Sequence, residues 1–396
     1  MPKISVDLIG RFFDNHSLSI VNRHIALELA RHGGAVDLTI TPRDRPDPKW
    51  LLDPRQVRTL ETLADKEHGT PDVEIRHVYP PAWRWPRAEK TKVIFIQPWE
   101  YVRIPFEWQY KFETFADGLI TPSAWTADNF LHSGLNPDTV FVVPNGYDPA
   151  IFNPTPEKSR FFDDAKFTFL FVGNHQKRKG LDILLNVWKE TFVKGEPVRL
   201  FIKDSPQVYG RNKVAAIVAD LRKTSGCAEI VYCDDALSER DMANLYKNAP
   251  VLVHPYRGEG FAMHVQEALA CGAWPIVTRG GPTDEFVPDG IGDTLEAQVV
   301  MLDMTSPELF AIKPGDSLTL MGWHAQLLEP KAEALKAALL AIFQHPDRSD
   351  QLAKAKAQRP ANTWEAVGRR YLDVVKTVHG RHRTTRRRRN DFDGTS

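Results

Sequence analysis

The chain has 396 residues, which at about 150 residues per domain accommodates two to three domains. Lysine plus arginine balances aspartate plus glutamate at 51 each, so no global field draws it to nucleic acid or membrane. With 42% hydrophobic and 26% charged residues it has the composition of a soluble globular protein and not of a disordered chain. Three cysteines, Cys227, Cys233 and Cys271, cannot build a disulfide framework and point to a reducing compartment. The opening MPKISVDLIG carries Asp7 in a short apolar stretch, unlike a signal peptide, and no run nears the roughly 18 apolar residues of a membrane span. A cytoplasmic protein without integral membrane association is expected.

The chain opens as strand, loop, helix, strand. Ile4 to Ile9 is an apolar run stopped by Gly10, RFFDNHS is a polar loop, Leu18 to Ala30 has helical spacing, and Val36 to Ile40 is a second strand. This βαβ start predicts a parallel sheet covered by helices. Residues 42 to 92 are dense in proline and charge. Within them WRWPRAEKTK reads either as a surface loop with tucked aromatics or as a stacking platform for nucleic acid. Strands return at Val93–Ile96, Gly118–Thr121 and Val140–Val143. The last runs into PNGYDPAIFNPTP, whose prolines and Asn-Gly mark a linker and a hinge near Pro144 to Asp148.

The pattern then restarts. Phe167 to Val172 is a buried strand, GNHQKRKG a loop, and Leu181 to Thr191 an amphipathic helix. Further strands fit Arg199–Ile202, Glu229–Tyr232, Pro250–His254 and Trp274–Thr278, and helices fill the chain from about Pro330. Two successive doubly wound α/β units facing across a cleft are predicted, with ligands beyond the carboxyl ends of their strands. RHRTTRRRRNDFDGTS at the end reads as a disordered basic tail.

Two segments carry candidate chemistry. In VLVHPYRGEGFAMHVQEALACG a strand ends in a glycine loop holding Glu259, and a helix starting near Phe261 carries Glu267 after seven intervening residues. Gly258 and Gly260 allow close backbone approach, and a helix N-terminus offers N–H groups to an anion. In FLFVGNHQKRKGLDILL a strand delivers Lys177, Arg178 and Lys179 to a helix start, where cations oppose the helix dipole unless a phosphate binds. Lys203 is a further cation at a strand end. Either segment read blandly is a solvated loop, and neither glutamate is expected in a core. His254 and His264 look like isolated packing residues, and Asp391-Phe392-Asp393 lies in the tail, so no metal site is expected.

EGFAMHVQEALACG resembles the glutamate-seven-residues-glutamate motif of the family-4 retaining glycosyltransferases. VVPNGYDPAIF resembles their interdomain segment, and FVGNHQKRKGLDILL the first loop and helix of their second domain. The resemblance runs from about residue 118 to 290. It implies a GT-B fold, with residues 1–148 a Rossmann-like domain on the acceptor side and 149–380 a Rossmann-like donor domain with terminal helices; residues 381–396 would be the basic tail.

The implied activity is retaining transfer of a hexosyl group from a nucleotide-sugar, without metal or other cofactor. Glu259 and Lys179 would be catalytic, Glu259 meeting the donor sugar and Lys179 the departing diphosphate. Gly173, Asn174, Arg178, Lys203, Gly260, Phe261, Ala262 and Glu267 would complete the donor site, Glu267 at the ribose. Asn174 stands where the family usually has arginine, and Ala262 where it has glycine. The acceptor side would hold Gly10, Asn15, His16, Gln97 and Glu100, with Gln97 near the place of a usual histidine. The acceptor itself is open between a small molecule, a protein and, less favoured, modified DNA touched by Trp83, Trp85 and the tail. The competing readings are a nucleotide-sugar-binding module without catalysis and an epimerase or phosphorylase on the same architecture.

Overall fold

The computed structural model describes residues 2–67, 69–209, 213–301, 326–345 and 347–381. The basic tail beyond Arg381, with Asp391 and Asp393, lies outside the described residues.

Two six-stranded parallel sheets form the frame. In the first, β1 (Ile4–Gly10), β2 (Val36–Pro42), β3 (Val73–His77), β4 (Lys92–Ile96), β5 (Gly118–Thr121) and β6 (Val140–Val142) run in the order β2-β1-β3-β4-β5-β6. In the second, β7 (Phe167–Val172), β8 (Val198–Lys203), β9 (Glu229–Cys233), β10 (Val251–His254), β11 (Trp274–Thr278) and β12 (Asp293–Leu295) run β9-β8-β7-β10-β11-β12. Continuous apolar runs such as Phe169 to Val172 in β7 suit this arrangement because helices cover both faces of a parallel sheet. Strand order reverses between β1 and β3 and between β7 and β10. A doubly wound sheet opens its ligand crevice at such a reversal, so the loops after β7 and β10 are brought together there.

The strand β3 and the helix Pro54–Ala64 are absent from the sequence reading. VEIRH hides its burial behind charge: Arg76, 1% exposed, donates from Nε to Glu74 at 3.0 Å and from its NH1 group to the carbonyls of Ala82 and Arg84 at 3.1 and 2.7 Å. A paired, fully hydrogen-bonded charge can occupy a core that an unpaired one cannot.

The helix Trp364–Gly380 differs from its expected place. Trp364, Val367, Tyr371, Val375 and Val378 join the first-domain core with Ile25 and Leu29, so the chain returns to the N-terminal unit instead of ending on the second. Trp364 stacks on His24 with ring centroids 4.6 Å apart. The return runs beside the outward linker, where Tyr147 and Trp364 exchange backbone bonds with Asn362 and Tyr147 at 3.1 Å each. Trp83 is tucked against Phe112 and Phe95 at 4.8 and 5.4 Å, and Trp85 packs on Phe115 at 5.0 Å. That packing agrees with the surface-loop reading of the segment, with both rings half-buried against aromatics of the same domain. No helix among the described residues is long and apolar enough to cross a membrane.

Candidate active site

A cleft of about 950 Å³ opens between the carboxyl edges of the two sheets and is lined by both domains. At its floor the loop after β10 presents Glu259, 5% exposed, to the basic turn after β7. Lys179 Nζ lies 2.5 Å from Glu259 Oε1, and His254 Nε2 approaches the same oxygen at 2.8 Å. Arg178 reaches Oε2 at 3.4 Å and Glu100, of the first domain, at 3.5 Å. Burial opposes ionisation of Glu259, but Lys179, then His254 and Arg178, hold its carboxyl well below the usual range. Burial lowers the Lys179 ammonium, with Arg178 adding to it and Glu259 opposing it. The basic turn therefore faces a carboxylate across the cleft floor, with Arg178 linking the domains.

Glu267 lies on the helix Met263–Ala270 and lines the same cleft. Burial raises its carboxyl to about 8, helped by Glu239, while the Tyr246 hydroxyl donates to it at 3.3 Å. Glu239 is itself engaged by His24 of the first domain at 3.0 Å. The sequence reading missed this second interdomain contact, because nothing in the spacing of His24 and Glu239 relates them.

The other expected donor residues divide by what they touch. Gly173, Asn174, Lys203, Gly260, Phe261 and Ala262 line the cleft. Asn174 is 3% exposed, its Oδ1 accepts from Gln176 N at 3.0 Å, and its Nδ2 has no partner. Lys203 Nζ is bound to the Asp204 carbonyl and burial lowers its ammonium. Ala262 has φ +70°, the left-handed region that glycine adopts freely, directly before the helix. The two flanking glycines also let the first domain pack closely: a Cβ on Gly258 would lie 2.2 Å from the Glu100 carbonyl oxygen, and one on Gly260 3.1 Å from Pro98 Cβ. Ser123 and Thr126 then donate to the Gly260 carbonyl at 2.8 and 3.1 Å.

On the acceptor side Asn15, His16, Gln97 and Glu100 line the cleft. Gly10 does not: it sits behind the wall, where a Cβ would strike Asn22 Nδ2 at 2.2 Å and the His77 carbonyl oxygen at 2.8 Å. His16 caps the helix Ser17–Arg31, accepting from Leu18 N at 3.2 Å, and burial lowers its imidazolium. Gln97 turns its Nε2 to the Pro98 carbonyl at 2.8 Å. His77, unread in the sequence, ends β3 in the cleft wall. Its Nδ1 lies 2.8 Å from Asn22 Oδ1, and since that oxygen only accepts, Nδ1 carries the proton. Its Nε2 is left as an unpartnered acceptor, and burial lowers the imidazolium to about 3. The mixed letters of EIRH gave the sequence no apolar signal that this was a strand end.

His254, Glu259 and His264, isolated in the sequence, bring three ligand atoms within 4.8 Å of one another. The two imidazoles meet edge to face at 4.1 Å, and His264 Nε2 is without a partner. Lys179 and Arg178 pair with the same carboxylate, so two cations stand beside these three ligand atoms.

Comparison with known proteins places this geometry. Residues 154–299, which hold the basic turn, Glu259 and Glu267, match the family described as Glycosyl transferases group 1. The D-inositol 3-phosphate glycosyltransferase of Acidothermus cellulolyticus is 30% identical over 189 residues, covering 44% of this chain and 41% of that protein. The chain thus spans well under two thirds of the length of such curated relatives. Among solved structures, sucrose-phosphate synthase from Thermosynechococcus elongatus superposes with a TM-score of 0.63 at 15% identity, over 95% of this chain and 99% of that one. Anabaena Alr3699/HepE in complex with UDP-glucose gives 0.52 at 13% identity, over 95% and 97%. The shared architecture is the GT-B fold. Within a GT-B fold, residues 154–299 of the chain match the group-1 glycosyltransferases.

Proposed function

We propose that the chain transfers a hexosyl group from a nucleotide-sugar to an acceptor hydroxyl, with retention of anomeric configuration and without a metal ion. The observation that carries this reading is the basic turn set against Glu259 at the strand-order reversal, with Lys179 Nζ 2.5 Å from the carboxylate. A departing diphosphate needs fixed positive charge, and Lys179, Arg178 and the N-terminus of the helix Met263–Ala270 supply it without reorganisation. Glu259, held ionised, would accept hydrogen bonds from sugar hydroxyls beside the anomeric carbon as positive charge develops there. Glu267 would take the ribose hydroxyls.

In the bond-making step the anomeric carbon–oxygen bond to the diphosphate breaks with its electron pair on the phosphate oxygen. The acceptor oxygen bonds to the same face of that carbon, and its proton passes to the departing phosphate. The two cations on Glu259 favour this metal-free route, because the charge a metal would bring is already present. Their presence beside the Asn174 and Ala262 departures also favours catalysis over simple binding. A relative crystallised with UDP-glucose makes UDP-sugars the first donors to test.

The test is thermal protection by UDP-, GDP-, ADP- and dTDP-sugars, since a ligand of the folded state raises its stability by mass action. Protection by one class, lost in Lys179→Ala and Glu267→Ala, is expected. No protection by any of them contradicts the proposal.

A further inference from the structure

The arginine of PYRGEGF lies outside the cleft lining yet is 4% exposed, and its guanidinium is fully used. Nε donates to Glu329 Oε2 at 2.5 Å and NH2 to Glu329 Oε1 at 3.0 Å. NH1 donates to Asp182 Oδ1 and to the Lys177 carbonyl, both at 2.7 Å, and NH2 to Asp182 Oδ2 at 2.8 Å. These contacts consume all five N–H donors of Arg257. They join three segments: the basic turn with the helix that follows it, the glycine loop, and the strand Gln326–Pro330. The backbone repeats the connection, because Arg257 N and Gly258 N both donate to the Arg178 carbonyl at 2.7 and 3.2 Å, and Leu328 N donates to the Arg257 carbonyl at 2.8 Å.

We propose that Arg257 is the positioning residue that sets Lys179 against Glu259 and keeps that lysine available to an anionic ligand. Glu259 is two residues beyond Arg257, and Lys179 lies between the Lys177 carbonyl and Asp182 that Arg257 holds. One rigid planar fork therefore fixes both ends of the Lys179–Glu259 pair. Its charge acts as well. Asp182, in the first turn of the helix Leu181–Thr191, is the nearest acid in sequence to the basic turn, and Arg257 pairs with it and with Glu329, offsetting part of their charge. Without that pairing the turn's cations would be drawn away from the cleft floor. Lysine cannot substitute, because three donors on a flexible stem do not span five acceptors on two further segments. The inference deepens the proposed diphosphate site and rests on it for its functional meaning.

The experiment compares wild-type protein with Arg257→Lys, and with the milder Asp182→Asn and Glu329→Gln in case the first fails to fold. A small amine-reactive reagent is applied to the ligand-free protein, and labelling of Lys179 is read by mass spectrometry relative to exposed Lys189. Buried Lys203 serves as the control for general loosening. In each folded variant Lys179 labelling should rise several-fold with Lys203 unchanged. No change at Lys179, or an equal rise at both lysines, overturns the positioning role.

Binding of inorganic pyrophosphate is measured on the same proteins by calorimetry. It should weaken about as much in Arg257→Lys as in Lys179→Ala, with no further loss in the double variant. Additive losses overturn the inference. If wild-type protein ignores pyrophosphate, the diphosphate reading fails, and the Lys179 labelling alone decides whether the clamp exists.

Discussion

Lys179 and His254 converge on one oxygen of Glu259, at 2.5 and 2.8 Å, while Arg178 takes the other at 3.4 Å. A carboxylate so placed stabilises the fold as well as the chemistry. The expectation that neither glutamate sits in a core is corrected here for Glu259, which is 5% exposed. Glu259→Ala leaves two cations facing each other in a closed corner, and breaking a buried pair costs about 3–5 kcal/mol. Glu259→Gln keeps the shape and loses the charge, so it should fold better than alanine while lowering turnover roughly 10²-fold, the scale of one lost preorganised polar contact. Denaturant melts and single-turnover rates on both variants check this. Because the folded carboxyl is depressed, its stabilisation is present above the ordinary carboxylate range and is lost as pH falls from that range through the lowered folded value.

Glu267 titrates in the opposite sense. Its carboxyl is raised to about 8, mainly by burial, so the folded chain keeps a proton that the unfolded chain has already lost. Stability should therefore fall as pH rises from the ordinary carboxylate range to about 8, and Glu267→Gln should flatten that slope. Ribose hydroxyls donating to the ionised form would pull this value down, so nucleotide binding near pH 7 should release a proton. Calorimetry in two buffers of different ionisation enthalpy measures it, and the release should vanish in Glu267→Gln.

The sequence shows these residues well where apolar patterning is strong. Phe167–Val172, Leu181–Thr191 and Trp274–Thr278 have the bounds read from hydrophobicity, because their burial is uninterrupted on the face that matters. Glu259, Lys179 and Arg178 were legible from spacing and resemblance. Arg76 and Glu74 erase the same signal in β3, and with it His77. Contacts between distant segments were beyond it: His24 with Glu239, and the convergence of Lys177, Asp182 and Glu329 on Arg257, depend on sheet order and on the returning last helix.

Ala262 holds a left-handed backbone at φ +70° in the position before the helix. The strain of about 1–2 kcal/mol for an L-residue there is close to what glycine would lose through backbone entropy and a missing buried methyl. Ala262→Gly should therefore leave the melting temperature nearly unchanged. Ala262→Val adds a β-branch to the same strained backbone and should cost at least about 2 kcal/mol.

The domains meet through Ser123 and Thr126 on the Gly260 carbonyl and through Glu285, which accepts from Ala124 N and Trp125 N at 2.9 and 2.7 Å. Glu285 thus caps a first-domain helix from the second domain. Opening about Pro144 to Asp148 would break these bonds. Glu285→Ala should lose about 1 kcal/mol of cap energy and enlarge the radius of gyration of the ligand-free protein. Small-angle scattering with and without nucleotide checks it: saturating nucleotide should restore the compact profile.

The central claim is that the Lys179–Glu259 floor promotes loss of a nucleoside diphosphate from a bound sugar. Chromatographic measurement of the nucleoside diphosphate released from UDP-, GDP-, ADP- and dTDP-glucose, by wild-type protein, Lys179→Ala and Glu259→Gln, tests it most directly. Release from one donor by the wild type, falling roughly 10²-fold or more in both variants, is the expected result. Release that proceeds equally in all three proteins, or from none of the donors in the wild type, would contradict the account.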